Sequence, residues 1–191
     1  SVILNIDCDH MEYFKTLDNL IASFTKFASM SKVIIFNGDD ENTIKSVQGI
    51  TGKEKITFGS DATSNYYYKN LEWVHGAFAK FTVFKDGEEL GEIELNVPGE
   101  HNILNALCAI ATAMYCGATF EQCKQSLYNF KGAGRRFEIL GEYKGITVAD
   151  DYAHHPQELE AILSAVMKMG YKNVWAVFQP FTYSRTSILF D

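Results

Sequence analysis

The spacing of apolar residues changes along the chain, and each change dictates a different element. Phe14, Leu17, Ile21, Phe24 and Phe27 recur every three or four positions, and the run Lys32-Val33-Ile34-Ile35-Phe36 follows them. The first pattern is the stripe of an amphipathic helix and the second suits a buried strand. A helix feeding such a strand is the grammar of a parallel α/β sheet. Ser1-Val2-Ile3-Leu4-Asn5-Ile6 reads as an opening strand. From about Tyr66 to Val97 the period falls to two: Ile93, Leu95 and Val97 alternate with Glu92, Glu94 and Asn96, and Asp86-Gly87 supplies a tight turn. An antiparallel patch is therefore expected, inserted or appended.

Pro98-Gly99 ends that patch, and helices are expected over His101 to Tyr115 and Thr119 to Phe130, separated by Gly117. Gly132-Ala133-Gly134 is the best hinge, because two glycines lift Cβ restrictions where the helical pattern stops. A new α/β unit begins there. It comprises a hairpin-like Phe137 to Asp151, a helix with Leu159, Ile162, Leu163 and Val166 on one face, and a strand from Val174 to Phe178. The chain starts at Ser1 in a strand pattern and stops at Asp191 in a helical one, so a longer parent is expected.

Composition narrows the function classes. Of 191 residues 47% are hydrophobic, enough for a substantial core. The net charge of -7, with no basic run, removes the attraction that nucleic acids or anionic membranes require. No apolar stretch approaches the roughly 20 residues of a spanning helix. Cys8, Cys108, Cys116 and Cys123 form no C-x-x-C pair, which fits a reducing cytoplasm.

Polar clusters follow the strands, at the edge where open α/β sheets bind ligands. The first is Asp7-Cys8-Asp9-His10, where a neutral imidazole could reach a metal or phosphate or could simply be structural. The second is Asp150-Asp151-Tyr152-Ala153-His154-His155, followed by Pro156 at a first helical position. His155 is then an N-cap neighbour, and Asp151, Tyr152 and His154 either face a ligand at the positive helix end or solvate a loop. A metallohydrolase would need further His or Cys at metal spacing, which is missing. The third cluster runs from Gln179 to Thr186, with Arg185 among hydroxyls suited to a small anion such as an amino-acid carboxylate. Asn102 and Asn105 share a helical face; their amides can match adenine, or Asn102 can cap the helix. Arg135 and Arg136 beside the hinge can bind phosphate across a cleft or remain solvated.

Asp9-His10-Met11, the run Pro98 to Ala106, Gly132-Ala133-Gly134-Arg135-Arg136-Phe137-Glu138, the string Asp150 to Pro156 and Phe178-Gln179-Pro180 together resemble the Mur ligases of peptidoglycan synthesis, in order and spacing. The double histidine and the Gln179 to Thr186 loop resemble the branch that joins L-alanine to UDP-N-acetylmuramate. The resemblance implies that residues 1–134 are the latter part of a central ATP-binding domain and residues 135–191 the first part of a Rossmann-like C-terminal ligase domain. It implies a cytoplasmic enzyme using ATP and Mg²⁺ through an acyl phosphate. His10 would be the metal ligand. Asn102, Asn105, Arg136 and Asp151 would contact the nucleotide, with Asp151 on the ribose, and His154, Arg185 and Tyr152 would form the catalytic side.

The family's glycine-rich G-K-[ST] phosphate loop is not in the sequence, so these 191 residues alone are expected to be inactive. Phe181 and Thr182 stand where many relatives carry a histidine and sometimes an arginine, which shifts carboxylate recognition onto Arg185. The lysine that sibling ligases carbamylate is missing, in keeping with the alanine-adding branch. The rival readings are a ligase that recycles the murein tripeptide and a non-catalytic α/β binding module. Oligomeric state is open.

Overall fold

The computed structural model describes residues 1–9 and 11–180. It is a mixed α/β structure with a six-stranded sheet, a two-stranded sheet and six helices among the described residues. No described helix is long and apolar enough to cross a membrane.

The large sheet runs in chain order from β1 (Val2–Ile3) through β2 (Val33–Asn37), β3 (Glu54–Phe58), β4 (Tyr66–Val74) and β5 (Phe78–Lys85) to β6 (Glu88–Pro98). β1 to β4 pair in parallel and β4 to β6 antiparallel. The antiparallel patch is appended to the parallel sheet, which it extends through the pairing of Phe58 with Tyr66. β1 is shorter than the expected opening strand, and its neighbouring N-terminal ammonium donates to the Val33 carbonyl at 2.8 Å.

Along β2, Ile34 and Phe36 enter one core while Ile35 enters the other, as period-two side chains must. Helices α2 (Leu17–Ser29) and α3 (Glu41–Gln48) cover the first core, with Leu20, Ala28 and Val47 buried there. Helix α4 (His101–Tyr115) covers the second with Ile103, Leu107, Ile110 and Ala111, and α5 (Phe120–Asn129) adds Cys123. A short α1 (Met11–Phe14) precedes α2. Asp86 and Gly87 both take positive φ, 50° and 91°, which matches the right-handed twist of the β5–β6 hairpin.

Beyond α5 the chain passes Gly132, at φ 99°, and forms a hairpin of β7 (Glu138–Tyr143) and β8 (Ile146–Asp150). Helix α6 (Pro156–Lys168) follows. The expected strand from Val174 to Phe178 does not form. A strand needs a neighbour's amides and carbonyls, and none of the described strands lies beside this stretch. Trp175 and Val177 are accordingly 91% and 99% exposed.

On the expected face of α6, Leu159, Ile162 and Val166 are half-buried. Leu163 is 38% exposed, whereas Ala165 is buried. Ala161, Ser164, Ala165 and Lys168 line a cavity of about 240 Å³ opposite Trp73 and His101. These four positions share one helical stripe, and small side chains there permit close approach. At the β4–β5 turn, a Cβ on Gly76 would lie 1.9 Å from the Lys168 carbonyl oxygen, and the Lys168 ammonium stands 5.4 Å over the Trp73 ring.

Candidate functional site

The loop from β8 into α6 is organised by carboxylates. Asp150 takes the Arg135 Nε at 2.9 Å, and the Arg135 guanidinium lies 5.0 Å over the Tyr152 ring. Asp151 points back to the hinge: one oxygen accepts the Phe137 amide and the other the Ala153 amide, each at 2.7 Å. Phe137 has φ 47° and Arg135 has φ 58°. The left-handed region is costly for such side chains, so these amide bonds hold a strained bend on either side of Arg136.

His155 is itself the N-cap of α6, not its neighbour, and Pro156 occupies the first turn. The His155 ring accepts the Gln157 amide at 3.4 Å, so its Nδ1 carries the lone pair. Glu158 closes the reciprocal half of this cap, with its Oε2 accepting the amides of His154 at 3.0 Å and His155 at 3.2 Å. Its Oε1 stands 3.5 Å from the Arg136 guanidinium, and its Oε2 stands 3.6 Å from His154 Nδ1. Burial opposes ionisation of Glu158, but those two amides and the His154 and Arg136 charges outweigh it and hold the carboxyl below its usual range.

His154 Nδ1 lies 2.9 Å from the Tyr152 carbonyl oxygen. A carbonyl only accepts, so in the neutral ring Nδ1 bears the hydrogen and Nε2 keeps its lone pair. The ring also meets the exposed Tyr152 ring edge-on at 5.4 Å.

At the start of α4 the capping alternative for Asn102 does not hold. Glu100 is the N-cap and makes no side-chain capping bond; the Asn102 amide donates back to the Pro98 carbonyl at 2.8 Å. Asn105 donates to Asn102 Oδ1 at 3.1 Å, so the two amides form a chain along the shared face. Asn105 is exposed, with its own carbonyl oxygen turned to no donor among the described residues. His101 as a residue is solvent-exposed, yet its ring packs so closely over Gly99 that a Cβ there would lie 2.6 Å from Cε1. Burial of that ring lowers its affinity for a proton, Asp151 partly opposes the effect and Arg136 reinforces it.

Beside these groups is a pocket of about 540 Å³ between the end of β6 and the hinge, lined by Asn96, Pro98, Lys131, Gly132, Gly134 and Arg136 among others. Two cations and a glycine-rich backbone give it groups that can meet an anion, with one carboxylate, Glu138, opposing them. Of the residues expected in the site, Arg136 lines this pocket, whereas Asn102, Asn105, Asp151, Tyr152 and His154 do not. The structure links Asp151 to the hinge at Phe137, and Arg136 to His154 through Glu158. His10 and Arg185 lie outside the described residues. Among the described residues no group of three or more His, Cys, Asp or Glu side chains is placed to hold a metal.

Residues 1–113 match the Mur ligase middle domain, and residues 135–189 match the family's glutamate ligase domain. The chain belongs to the Mur ligase family. It is similar to the UDP-N-acetylmuramate--L-alanine ligase of Caldanaerobacter subterraneus, at 41% identity over 99% of this chain and 42% of that protein. The relative of the same name from Clostridium acetobutylicum is 44% identical over the whole chain and again 42% of the relative. The chain thus spans about two fifths of these curated Mur ligases. The crystal structure of the UDP-N-acetylmuramate-alanine ligase from Thermotoga maritima superposes with a TM-score of 0.73 at 29% identity, covering 88% of this chain and 37% of that one. A Mur ligase of another branch from Thermotoga maritima, crystallised with ADP, shares the fold at 19% identity and a TM-score of 0.71.

Reading this Mur ligase from sequence misses Glu158. The signal was present, since an acid three residues after an N-cap is the capping-box spacing, but that rule is usually applied to serine and threonine. The stripe Ala161, Ser164, Ala165 and Lys168 carries no such signal, because three small side chains and a lysine make no apolar periodicity.

Proposed function

We propose that this chain carries the adenine side and part of the amino-acid side of an ATP-dependent ligase that joins L-alanine to UDP-N-acetylmuramate in peptidoglycan synthesis. The observation that carries the reading is similarity along this whole chain to relatives of that name, 41% and 44% identical, of which it covers 42%. The central ATP-binding part is assigned to residues 1–134 and the first part of the ligase domain to residues 135–191.

In the proposed reaction the muramyl carboxylate takes the γ-phosphoryl group of ATP. The alanine amine then attacks the acyl carbon; a C–N bond forms, the C–O bond to phosphate breaks, and phosphate and a proton leave. Activation makes phosphate the leaving group, and the protein's task is to hold the amine in line. Asn105, presented by Asn102, offers its open amide to adenine. Arg136, with Lys131 in the 540 Å³ pocket, reaches the nucleotide or its phosphates. Asp151 is assigned to the ribose: an ionised carboxylate has about four acceptor positions, and two are taken by backbone amides. His154, through the Nε2 left free by the Nδ1 contact with the Tyr152 carbonyl, and Tyr152 are assigned to the acyl-phosphate side, and Arg185 to the alanine carboxylate. His10 is assigned to Mg²⁺, and the described residues offer no cluster of three or more His, Cys, Asp or Glu side chains to join it.

The test uses the full-length parent enzyme, a cytoplasmic protein on this reading. L-Alanine, but not a murein tripeptide, should drive ADP release with UDP-N-acetylmuramate present. Asn105→Ala should raise the ATP requirement more than the alanine requirement, and Arg185→Ala the reverse. Equal effects on both substrates from both variants would reject the assignment, and a preference for tripeptide would move the chain to the recycling branch. The 191 residues alone, which contain no G-K-[ST] loop, should release no phosphate in response to alanine.

A further inference from the structure

We infer that Glu158 is a positioning residue that competes with the nucleotide for Arg136 while orienting His154, so that nucleotide binding transfers its charge from the arginine to the histidine loop. The inference rests on the proposed role of Arg136 at the nucleotide. A helix cap by itself accounts for only half of what Glu158 does. The Oε2 bonds to the His154 and His155 amides are those of a capping box, and any acid or amide at this position would make them. The Oε1 contact with Arg136, 22 positions earlier in the chain, is not part of a cap. Neither is the approach of Oε2 to His154 Nδ1 at 3.6 Å.

Arg136 stands at a choice between two anions. Arg136 is one of the residues lining the 540 Å³ pocket, and its guanidinium is turned to Glu158 at the long separation of 3.5 Å. At that distance and with both side chains partly in solvent the attraction is weak. An incoming phosphate, with more charge and a geometry suited to a guanidinium fork, takes Arg136 readily. The bend held by Asp151 at Phe137 limits where Arg136 can go, so the exchange is a side-chain swing, not a rearrangement of the hinge. Once Arg136 leaves, the Glu158 carboxylate faces only the two amides and His154. Its field then reinforces the Nδ1–H tautomer that the Tyr152 carbonyl already holds at 2.9 Å, and steadies the ring that presents Nε2 to the acyl phosphate.

This arrangement makes a prediction opposite in sign to that of a structural role. In Glu158→Gln the amide oxygen still accepts from the His154 and His155 amides, so the start of α6 is kept while the charge is lost. In the full-length enzyme, Arg136 is then uncontested and the KM for ATP should fall about two- to fivefold, the range an exposed ion pair allows. The kcat should fall about tenfold, as when a residue that orients a catalytic histidine is lost. Glu158→Ala removes the cap as well and should show the same kcat loss together with a lowered melting temperature; Gln should restore the melting temperature but not kcat. An unchanged or raised ATP KM in Glu158→Gln, or a kcat equal to wild type, overturns the inference. Arg136→Ala separates the two levels. If it leaves the ATP KM unaltered, the nucleotide role of Arg136 fails; if it raises the ATP KM while Glu158→Gln does not lower it, only the competition fails.

Discussion

Replacing Asp151 by asparagine tests whether this carboxylate acts on the backbone as well as on a ligand. The two side chains have the same shape, but an asparagine can turn only its oxygen to one of the two amides that Asp151 now serves. Its NH₂ would face the other, and the geometry makes Phe137 the loser, since Ala153 is only two residues away in the same turn. A hydrogen bond to a charged group contributes about 1.5–3 kcal/mol. The Phe137 bond is only partly buried, which favours the lower end. Phe137 at φ 47° carries roughly 1 kcal/mol of left-handed strain, part of which is recovered when the bend relaxes. The net expectation is a loss of about 1–2 kcal/mol of local stability. Amide hydrogen exchange read by NMR measures it directly: the Phe137 amide should exchange roughly tenfold faster for each 1.4 kcal/mol lost, while amides in β2 and α4 keep their protection. Unaltered exchange at Phe137, with loss confined to ATP binding, would show that Asp151 is a ligand contact with no clamping role.

Three other expectations follow from the geometry. Gly76→Ala puts a Cβ against the Lys168 carbonyl oxygen, which cannot swing aside, and adds about 1 kcal/mol for a left-handed residue at φ 79°. The end of α6 should leave the β4–β5 turn, changing Trp73 fluorescence in a Trp175→Phe background; an unchanged spectrum would contradict the contact. For His101, burial holds the folded imidazole below its ordinary value of 6.5, so the unfolded chain binds more protons in that window. Stability should therefore be complete above about pH 6.5 and fall as pH drops through the folded value, and His101→Gln should flatten urea midpoints measured between pH 7 and 5. Burial pushes the Cys108 thiol up to about 11, against a smaller opposing effect of Thr112. Iodoacetamide at pH 8 should thus label the exposed Cys116 and spare Cys108 until the chain unfolds, as read by peptide mass.

The elements that carry the candidate residues were legible because they are built from short motifs. The span of α4, the Asp86-Gly87 hairpin and the place of Pro156 in the first turn of α6 agree with the sequence reading, since each depends on backbone preferences of a few adjacent residues. The same locality explains the departures. Asn102 has the chemistry of a cap, but the Pro98 carbonyl lies within reach of its amide and takes it. Asp151 has the chemistry of a ligand, and the hinge adds a second task by bringing the Phe137 amide to it from 14 positions away.

Local spacing and residue type therefore determined the elements, their order and which loops are rich in chemistry. Tertiary structure decided the rest. It merged the parallel and antiparallel strands into one sheet, left Val174 to Phe178 without a strand partner, and set Ala161, Ser164, Ala165 and Lys168 of α6 along a cavity opposite Trp73 and His101. It also joined Arg136 to His154 through Glu158. Such outcomes depend on which groups meet in space, and a periodicity that repeats every two or four residues carries no information about a neighbour 22 positions away.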